Sequence, residues 1–174
     1  DFIIYLKKIE KTRGKFCKLL EIGFGNGSTN TILNKFFNFE RIVVIDNFSA
    51  NTSNNSLVSN LRNKNLIILC GDSTSNTCIE NAKNLGPFDI IFIDGNHQEP
   101  FVGKDFENYS TLIKKNGFIA LHDITSKEWP DVSKRWAKIK KIKKFNYKEF
   151  VCKDYKIQFG IGLISKNTSY SKTA

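Results

Sequence analysis

Methionine is absent from all 174 positions, the first included, which predicts that the chain starts after a natural initiation site or after processing. A segment ahead of Asp1 could then supply a lid or an oligomer contact, and a homo-oligomer is compatible with the sequence. No apolar run approaches the ~20 residues of a membrane-spanning helix, and the first residues lack the basic, apolar and small-residue order of a secretory signal. These absences predict a cytoplasmic protein with no membrane partner. Cys17, Cys70, Cys78 and Cys152 show no C-x-x-C spacing, which disfavours a thiolate metal site. All four read as core residues that pack as small hydrophobes. Internal repeats and linker-like stretches are missing too. With 40% hydrophobic and 13% aromatic residues, one core and one domain over 1–165 are expected, followed by a polar, frayed tail over 166–174.

Acid is the scarcer charge, 17 Asp and Glu against 27 Lys and Arg, for a formal net charge of +10. Such an excess attracts phosphates regardless of sequence. The densest cluster runs from Lys134 to Lys148, yet Val132, Trp136, Ile139 and Ile142 recur there at helical spacing. The lysines therefore read as the solvated face of an amphipathic helix. No aromatic nucleic-acid motif accompanies the charge.

What the chain does contain is Leu19-Leu20-Glu21-Ile22-Gly23-Phe24-Gly25-Asn26-Gly27-Ser28, an apolar strand running into an acid and three alternate glycines, with a helix-like segment after it. Glycines at a strand-to-helix turn permit a tight path and let a ligand approach the main chain. The helix start beyond offers unpaired N–H groups. Asp46 closes a second apolar run, Arg41-Ile42-Val43-Val44-Ile45, where a carboxylate can accept from both hydroxyls of a ribose. Together these read as a nucleotide-type cofactor site. A dinucleotide fingerprint is G-x-G-x-x-G, whereas the pattern here is G-x-G-x-G, which disfavours a dehydrogenase.

Apolar runs alternate with helix-like segments as in a doubly wound α/β sheet. Strands are expected near 17–22, 41–46, 66–70, 88–94 and 117–122, and helices near 2–12, 28–38, 53–62, 75–85, 101–115 and 131–143. Continuously apolar strands such as Phe88-Asp89-Ile90-Ile91-Phe92-Ile93 fit parallel strands covered on both faces. Two further runs, Phe145 to Cys152 and Ile157 to Ser165 around the turn Lys153-Asp154-Tyr155-Lys156, predict a terminal antiparallel hairpin. The strand ends are polar throughout: Glu21 and Gly23, Asp46-Asn47, Gly71-Asp72-Ser73, Asp94-Gly95-Asn96-His97, and His122-Asp123. Ligands of open sheets bind beyond these ends.

With Glu21 ahead of it, the glycine loop resembles motif I of the class I S-adenosylmethionine-dependent methyltransferases. Their Rossmann-like sheet has five parallel strands completed by a C-terminal antiparallel hairpin, with helices on both faces. The resemblance implies S-adenosylmethionine as cofactor. Glu21, Gly23, Phe24, Gly25, Asn26, Gly27 and Ser28 would face its methionine half, and Asp46 with Asn47 the ribose. Phe48 would cover the adenine, with Asp72 and Ser73 beside it. Asp72 reads equally as a turn or helix cap, and Ser73 mainly as a cap.

Asp94-Gly95-Asn96-His97 followed by Gly117-Phe118-Ile119-Ala120-Leu121-His122-Asp123 is similar to the macrocin O-methyltransferase and cephalosporin hydroxylase-type group, small-molecule and sugar O-methyltransferases. The similarity spans about Leu19 to Ile164, including Trp129-Pro130-Asp131-Val132 and Phe159-Gly160-Ile161-Gly162. It implies O-methylation of a small polyol, sugar or glycan-linked hydroxyl. Asp94 would also touch the cofactor, and His97 would be the general base. Asp94, His122 and Asp123 would form a divalent-cation site. The sequence departs from the group where His122 replaces an acid, which leaves magnesium, manganese, iron, zinc or no metal open. Both histidines have a blander reading, a helix cap near Pro100 for His97 and a backbone hydrogen bond for His122. An RNA methyltransferase and an inactive nucleotide-binding scaffold remain as alternatives.

Overall fold

The fold, taken from a computed structural model, is described for residues 1–49, 65–152 and 160–166. It contains α1 (Phe2–Arg13), β1 (Lys18–Ile22), α2 (Ser28–Phe36), β2 (Arg41–Asp46), β3 (Leu66–Cys70), α3 (Asn76–Leu85), β4 (Phe88–Ile93), α4 (Phe101–Tyr109), β5 (Ile113–Leu121), α5 (Pro130–Ile139), β6 (Phe145–Val151) and β7 (Gly160–Lys166). The seven strands form one sheet in the order β3-β2-β1-β4-β5-β7-β6. The first five are parallel, β7 runs antiparallel to β5, and β6 antiparallel to β7. This is the sheet the sequence predicts, hairpin included. The expected helix at 53–62 and the turn at Lys153–Lys156 lie outside the described residues.

Side chains on successive strand residues point to opposite faces, and the apolar runs use both. Leu20, Ile22, Val43, Ile45, Ile91, Ile93, Ile119 and Leu121 pack under α3, α4 and α5 through Cys78, Ala82, Val102, Phe106, Tyr109, Val132, Trp136 and Ile139. The alternate residues Leu19, Ile42, Val44, Ile90, Phe92, Phe118 and Ala120 meet α1 and α2 through Phe2, Leu6 and Leu33. Val132, Trp136 and Ile139 are buried, as their helical spacing predicts, and Lys134, Lys138 and Lys141 are exposed around them.

Several expectations are corrected. The helix predicted over 101–115 ends at Tyr109, and a single 3-10 turn at 110–112 delivers Ile113 into β5. Ile113 pairs with Phe88, so the strand starts four residues before 117. Its two ends are both apolar, which gave the sequence no reason to prefer a strand to a continuing helix. The last helix stops at Ile139, where 143 was expected. Only Cys78 of the four cysteines is a core residue; Cys17 is half-buried, and Cys70 and Cys152 are exposed, all as free thiols. Lys166 belongs to β7, its Nζ donating to the Ile113 carbonyl at 2.9 Å, and the rest of the predicted tail lies outside the described residues. No helix among the described residues is long and apolar enough to cross a membrane.

Candidate active site

The parallel ladder extends one hydrogen bond past each strand, and this brings the polar strand ends level. Gly23 N–H donates to the Ile45 carbonyl, Gly71 N–H to Asp46, Asp94 N–H to Ile22 and His122 N–H to Ile93, at 2.8–3.0 Å. A crevice of about 360 Å³ opens along this edge. Gly23, Gly25, Asp46, Asn47, Asp72, Ser73 and Asp94 line it, with Ile22 and Ile45 as apolar floor. The volume falls within the ~300–1,000 Å³ typical of small-molecule sites.

The glycine loop and Asp46 are one unit. Asp46 Oδ2 accepts from the N–H groups of Phe24, at 2.6 Å, and Gly25, at 3.2 Å, while Oδ1 accepts from Phe48 N–H at 2.6 Å. A carboxylate offers about four lone-pair sites, so about one accepting position remains, on Oδ1. Gly23 has φ +84°, and a Cβ there would stand 2.0 Å from the Asp94 carbonyl oxygen. Glycine is therefore required both for the backbone conformation and for the approach of β1 to β4.

The other residues expected in the loop sit elsewhere. Glu21 is fully buried behind the crevice, where Asn30 Nδ2 donates to its Oε2 at 3.0 Å and Oε1 has no hydrogen-bond partner among the described residues. Burial pushes its carboxyl up to about 8, against the Asn30 bond and with help from Asp94 and Asp46. Asn26 Oδ1 accepts from the N–H and hydroxyl of Ser28, so both build the turn into α2, whose N-cap is Gly27. Phe24 and Phe48 pack edge to face at 6.4 Å between centroids, and neither lines the crevice. Phe48, at φ +54°, thus packs edge to face on Phe24.

At the end of β3, Asp72 Oδ1 accepts from the N–H and hydroxyl of Thr74, closing a local turn that holds its carboxyl below the usual range. The cap reading of Ser73 is corrected: Ser75 caps α3 by accepting from Cys78 N–H. The Ser73 hydroxyl donates to Asp105 Oδ1 at 2.6 Å, and the Tyr109 hydroxyl to the Ser73 carbonyl at 2.6 Å, so α4 fixes this side of the crevice. Desolvation raises the Asp105 carboxyl to about 6.

Beside the crevice, Asp94, His97, His122 and Asp123 offer one ligand atom each within 4.8 Å of one another. His97 Nε2 lies 3.0 Å from Asp94 Oδ1 and 3.8 Å from Asp123 Oδ2. His122 Nδ1 lies 3.2 Å from Asp94 Oδ1 and 3.3 Å from Asp123 Oδ1. Burial opposes charge on His122, but Asp123 and Asp94 outweigh it and push the imidazole up to about 10. Desolvation would raise the Asp94 carboxyl, and the bonds from His122 and His97 outweigh it and lower it. Asp123 is buried with φ +58°, a backbone region that Asp tolerates better than most residues. His97 makes no cap: Pro100 occupies the N-cap of α4, and the imidazole bonds Asp94 instead.

The methyltransferase-domain family model matches residues 20–124, which contain all of these strand ends. This chain belongs to that family. Solved structures agree on the fold, that of class I S-adenosylmethionine-dependent methyltransferases. An O-methyltransferase from Bacillus cereus in complex with S-adenosylhomocysteine (SAH) is 18% identical, with 95% of this chain and 79% of that one covered at a TM-score of 0.72. The Podospora anserina methyltransferase PaMTH1, SAH-bound, is 16% identical over 95% and 76% of the chains at 0.67. MycE methyltransferase of the mycinamycin biosynthetic pathway, in complex with Mg, SAH and mycinamycin VI, is 16% identical over 98% of this chain at 0.68, and the chain spans half of its length. No curated protein sequence matches.

Beyond the residues singled out by sequence, Ser49, Gly71, Gly95, Asn96 and Phe101 of this methyltransferase domain also line the crevice. Gly71, Gly95 and Asn96 were visible as neighbours of strand-end acids. Phe101 carried no signal, because it enters from the first turn of α4. Asp105 was equally hidden, one of two acids in α4, and only packing reveals which of them is buried.

Proposed function

We propose that this chain transfers a methyl group from S-adenosylmethionine to a hydroxyl oxygen of a small polyol, sugar or glycan-linked acceptor. The observation that carries the reading is the junction at Asp94: one side of this residue lines the crevice, and its carboxylate binds the imidazoles of His97 and His122. A donor site and a proton-accepting site thus meet at one strand end. The SAH-bound neighbours and the MycE complex with Mg support the donor and a cation in this fold.

Asp46 holds a ribose hydroxyl through its remaining acceptor position on Oδ1, and Asp72 accepts from the exocyclic amine of the adenine. Glu21 and the Gly23-to-Gly27 loop shape the methionine half. The bound sulfonium supplies an electrophilic methyl group. Asp94 orients the His97 imidazole through Nε2, which leaves Nδ1 to take the acceptor's hydroxyl proton as the new O–CH₃ bond forms and the S–CH₃ electron pair returns to sulfur.

The cluster fits a divalent cation, because among the described residues Asp123 Oδ1 is buried without a well-aligned hydrogen bond and two carboxylates stand beside two imidazoles. Asp94 and Asp123 would hold it, joined by His122 once the cation displaces its proton, and its charge would lower the pKa of an acceptor hydroxyl. A mixed oxygen and nitrogen donor set suits manganese, iron or zinc better than magnesium.

Calorimetry with S-adenosylmethionine and SAH, followed by tritiated methyl transfer to monosaccharides, polyols and bulk RNA, tests this. Binding of both ligands and label in a sugar or polyol is expected. Binding of neither ligand refutes the donor; label in RNA alone, which the +10 charge would favour, refutes the acceptor class. Binding with no transfer to any acceptor indicates a scaffold that has lost catalysis.

A further inference from the structure

Glycine is a poor helix former beside alanine, yet Gly103 lies buried in the first turn of α4. A Cβ there would stand 2.0 Å from Nη2 and 2.5 Å from Cζ of Arg135, and 2.7 Å from Glu99 Oε2. The missing side chain makes room for an ion pair. Arg135, from α5, binds Glu99 through both arms of its fork, Nε to Oε1 at 2.7 Å and Nη2 to Oε2 at 2.9 Å. Two parallel bonds of this kind fix orientation as well as distance.

Glu99 stands two residues beyond His97, in the segment that joins β4 to α4. The same end of α5 makes two more contacts with that segment. Asp131 Oδ2 accepts from Glu99 N–H at 3.3 Å, and the Trp129 ring packs on the His97 ring with centroids 5.1 Å apart. Asp94 holds the imidazole from the strand side. The segment is therefore pinned at both ends of the stretch that carries His97.

We propose that Arg135 is a positioning residue for His97: its bidentate grip on Glu99, in the space left by Gly103, docks the segment against α5 and sets where the imidazole stands. This rests on the assignment of His97 as the general base. The third bond of the guanidinium, Nη1 to Glu107 at 3.0 Å, goes to an exposed side chain and serves as an internal control.

The chain has two histidines, so histidine-selective ¹⁵N labelling gives a spectrum with two ring systems. Spectra of Arg135→Lys, Gly103→Ala and Glu107→Gln are compared at one pH with SAH bound, alongside SAH calorimetry and thermal melting. Lysine keeps the charge and loses the fork; alanine displaces the flexible end of Arg135 and leaves the helix backbone in place. Both should move or broaden the His97 ring signals well beyond those of His122, whose Nδ1 shares Asp94 Oδ1 with His97, and keep SAH affinity within about twofold. Glu107→Gln should leave both rings unchanged. An unmoved His97 ring in Arg135→Lys and Gly103→Ala overturns the proposal, as does an equal effect of Glu107→Gln. Failure of the methyltransferase reading looks different, since wild-type protein would then bind no SAH.

Discussion

His97 answers to two carboxylates at once, 3.0 Å from Asp94 and 3.8 Å from Asp123, and this separates its role from that of the donor site. His97→Ala should lower turnover by ~10² to 10⁴, the usual contribution of a positioned base, with SAH affinity by calorimetry within about twofold of wild type. Unchanged turnover would remove the base assignment. Glu21 supports a second prediction at this scale. Its carboxyl is raised from an ordinary 4.5 to about 8 by burial, so the folded state keeps a proton that the unfolded state releases. By linkage, stability is greatest below about pH 4.5 with respect to this group, falls as pH rises toward about 8, and then levels off. Glu21→Gln should flatten that slope in thermal melts taken across the window; parallel melting curves would contradict it. The sequence exposed Glu21, Asp46, Asp72, Asp94, His97, His122 and Asp123 because strand ends are legible from apolar runs. It did not expose the direction of a side chain. Phe48 turns away from the crevice at a positive φ, and Ser73 meets Asp105 instead of its own helix, both decided by packing across the sheet edge.

Between β1 and α2, the turn sets two glycines with positive φ to different tasks. Gly23 has the Asp94 carbonyl where a side chain would go, while Gly25, at φ +51°, has nothing within 4 Å among the described residues. Gly25→Ala should therefore cost mainly the backbone conformation, about 1–2 kcal/mol in stability, and add one methyl group to the crevice wall. Gly23→Ala must in addition push β1 from β4, and SAH binding should fall by more than about tenfold relative to Gly25→Ala. Equal losses in calorimetry would show that the close approach is unimportant. Elements were read well where periodicity was unbroken, as in the five parallel strands and in the amphipathic face of α5. They were read poorly where helix and strand abut without a breaker. Between Tyr109 and Ile113 there is no glycine or proline, and only pairing with Phe88 shows that Ile113 is already in a strand.

Charge is distributed unevenly over the molecule: a body with a net +10 carries Asp46, Asp72, Asp94 and Asp123 along one edge of its sheet. An acidic crevice in a basic body attracts a cationic ligand into the site and repels it elsewhere. The crevice and the cluster share only Asp94, so the two ligands should each stabilise the fold, nearly additively. A ligand at about a hundred times its Kd adds about 2.7 kcal/mol, which for a chain of this size raises Tm by roughly 5–11 °C. SAH should give such a rise in wild type, and manganese a further one. Asp123→Asn keeps a residue that tolerates the left-handed backbone at this position but removes the carboxylate's negative charge and leaves one neutral carbonyl oxygen. It should abolish the manganese shift and preserve that of SAH, whereas Asp46→Ala should weaken the SAH shift and preserve that of manganese. Loss of both shifts in Asp123→Asn, with its ligand-free melting unchanged, would mean that cation and donor share one site, and the division of the edge into crevice and cluster would be wrong.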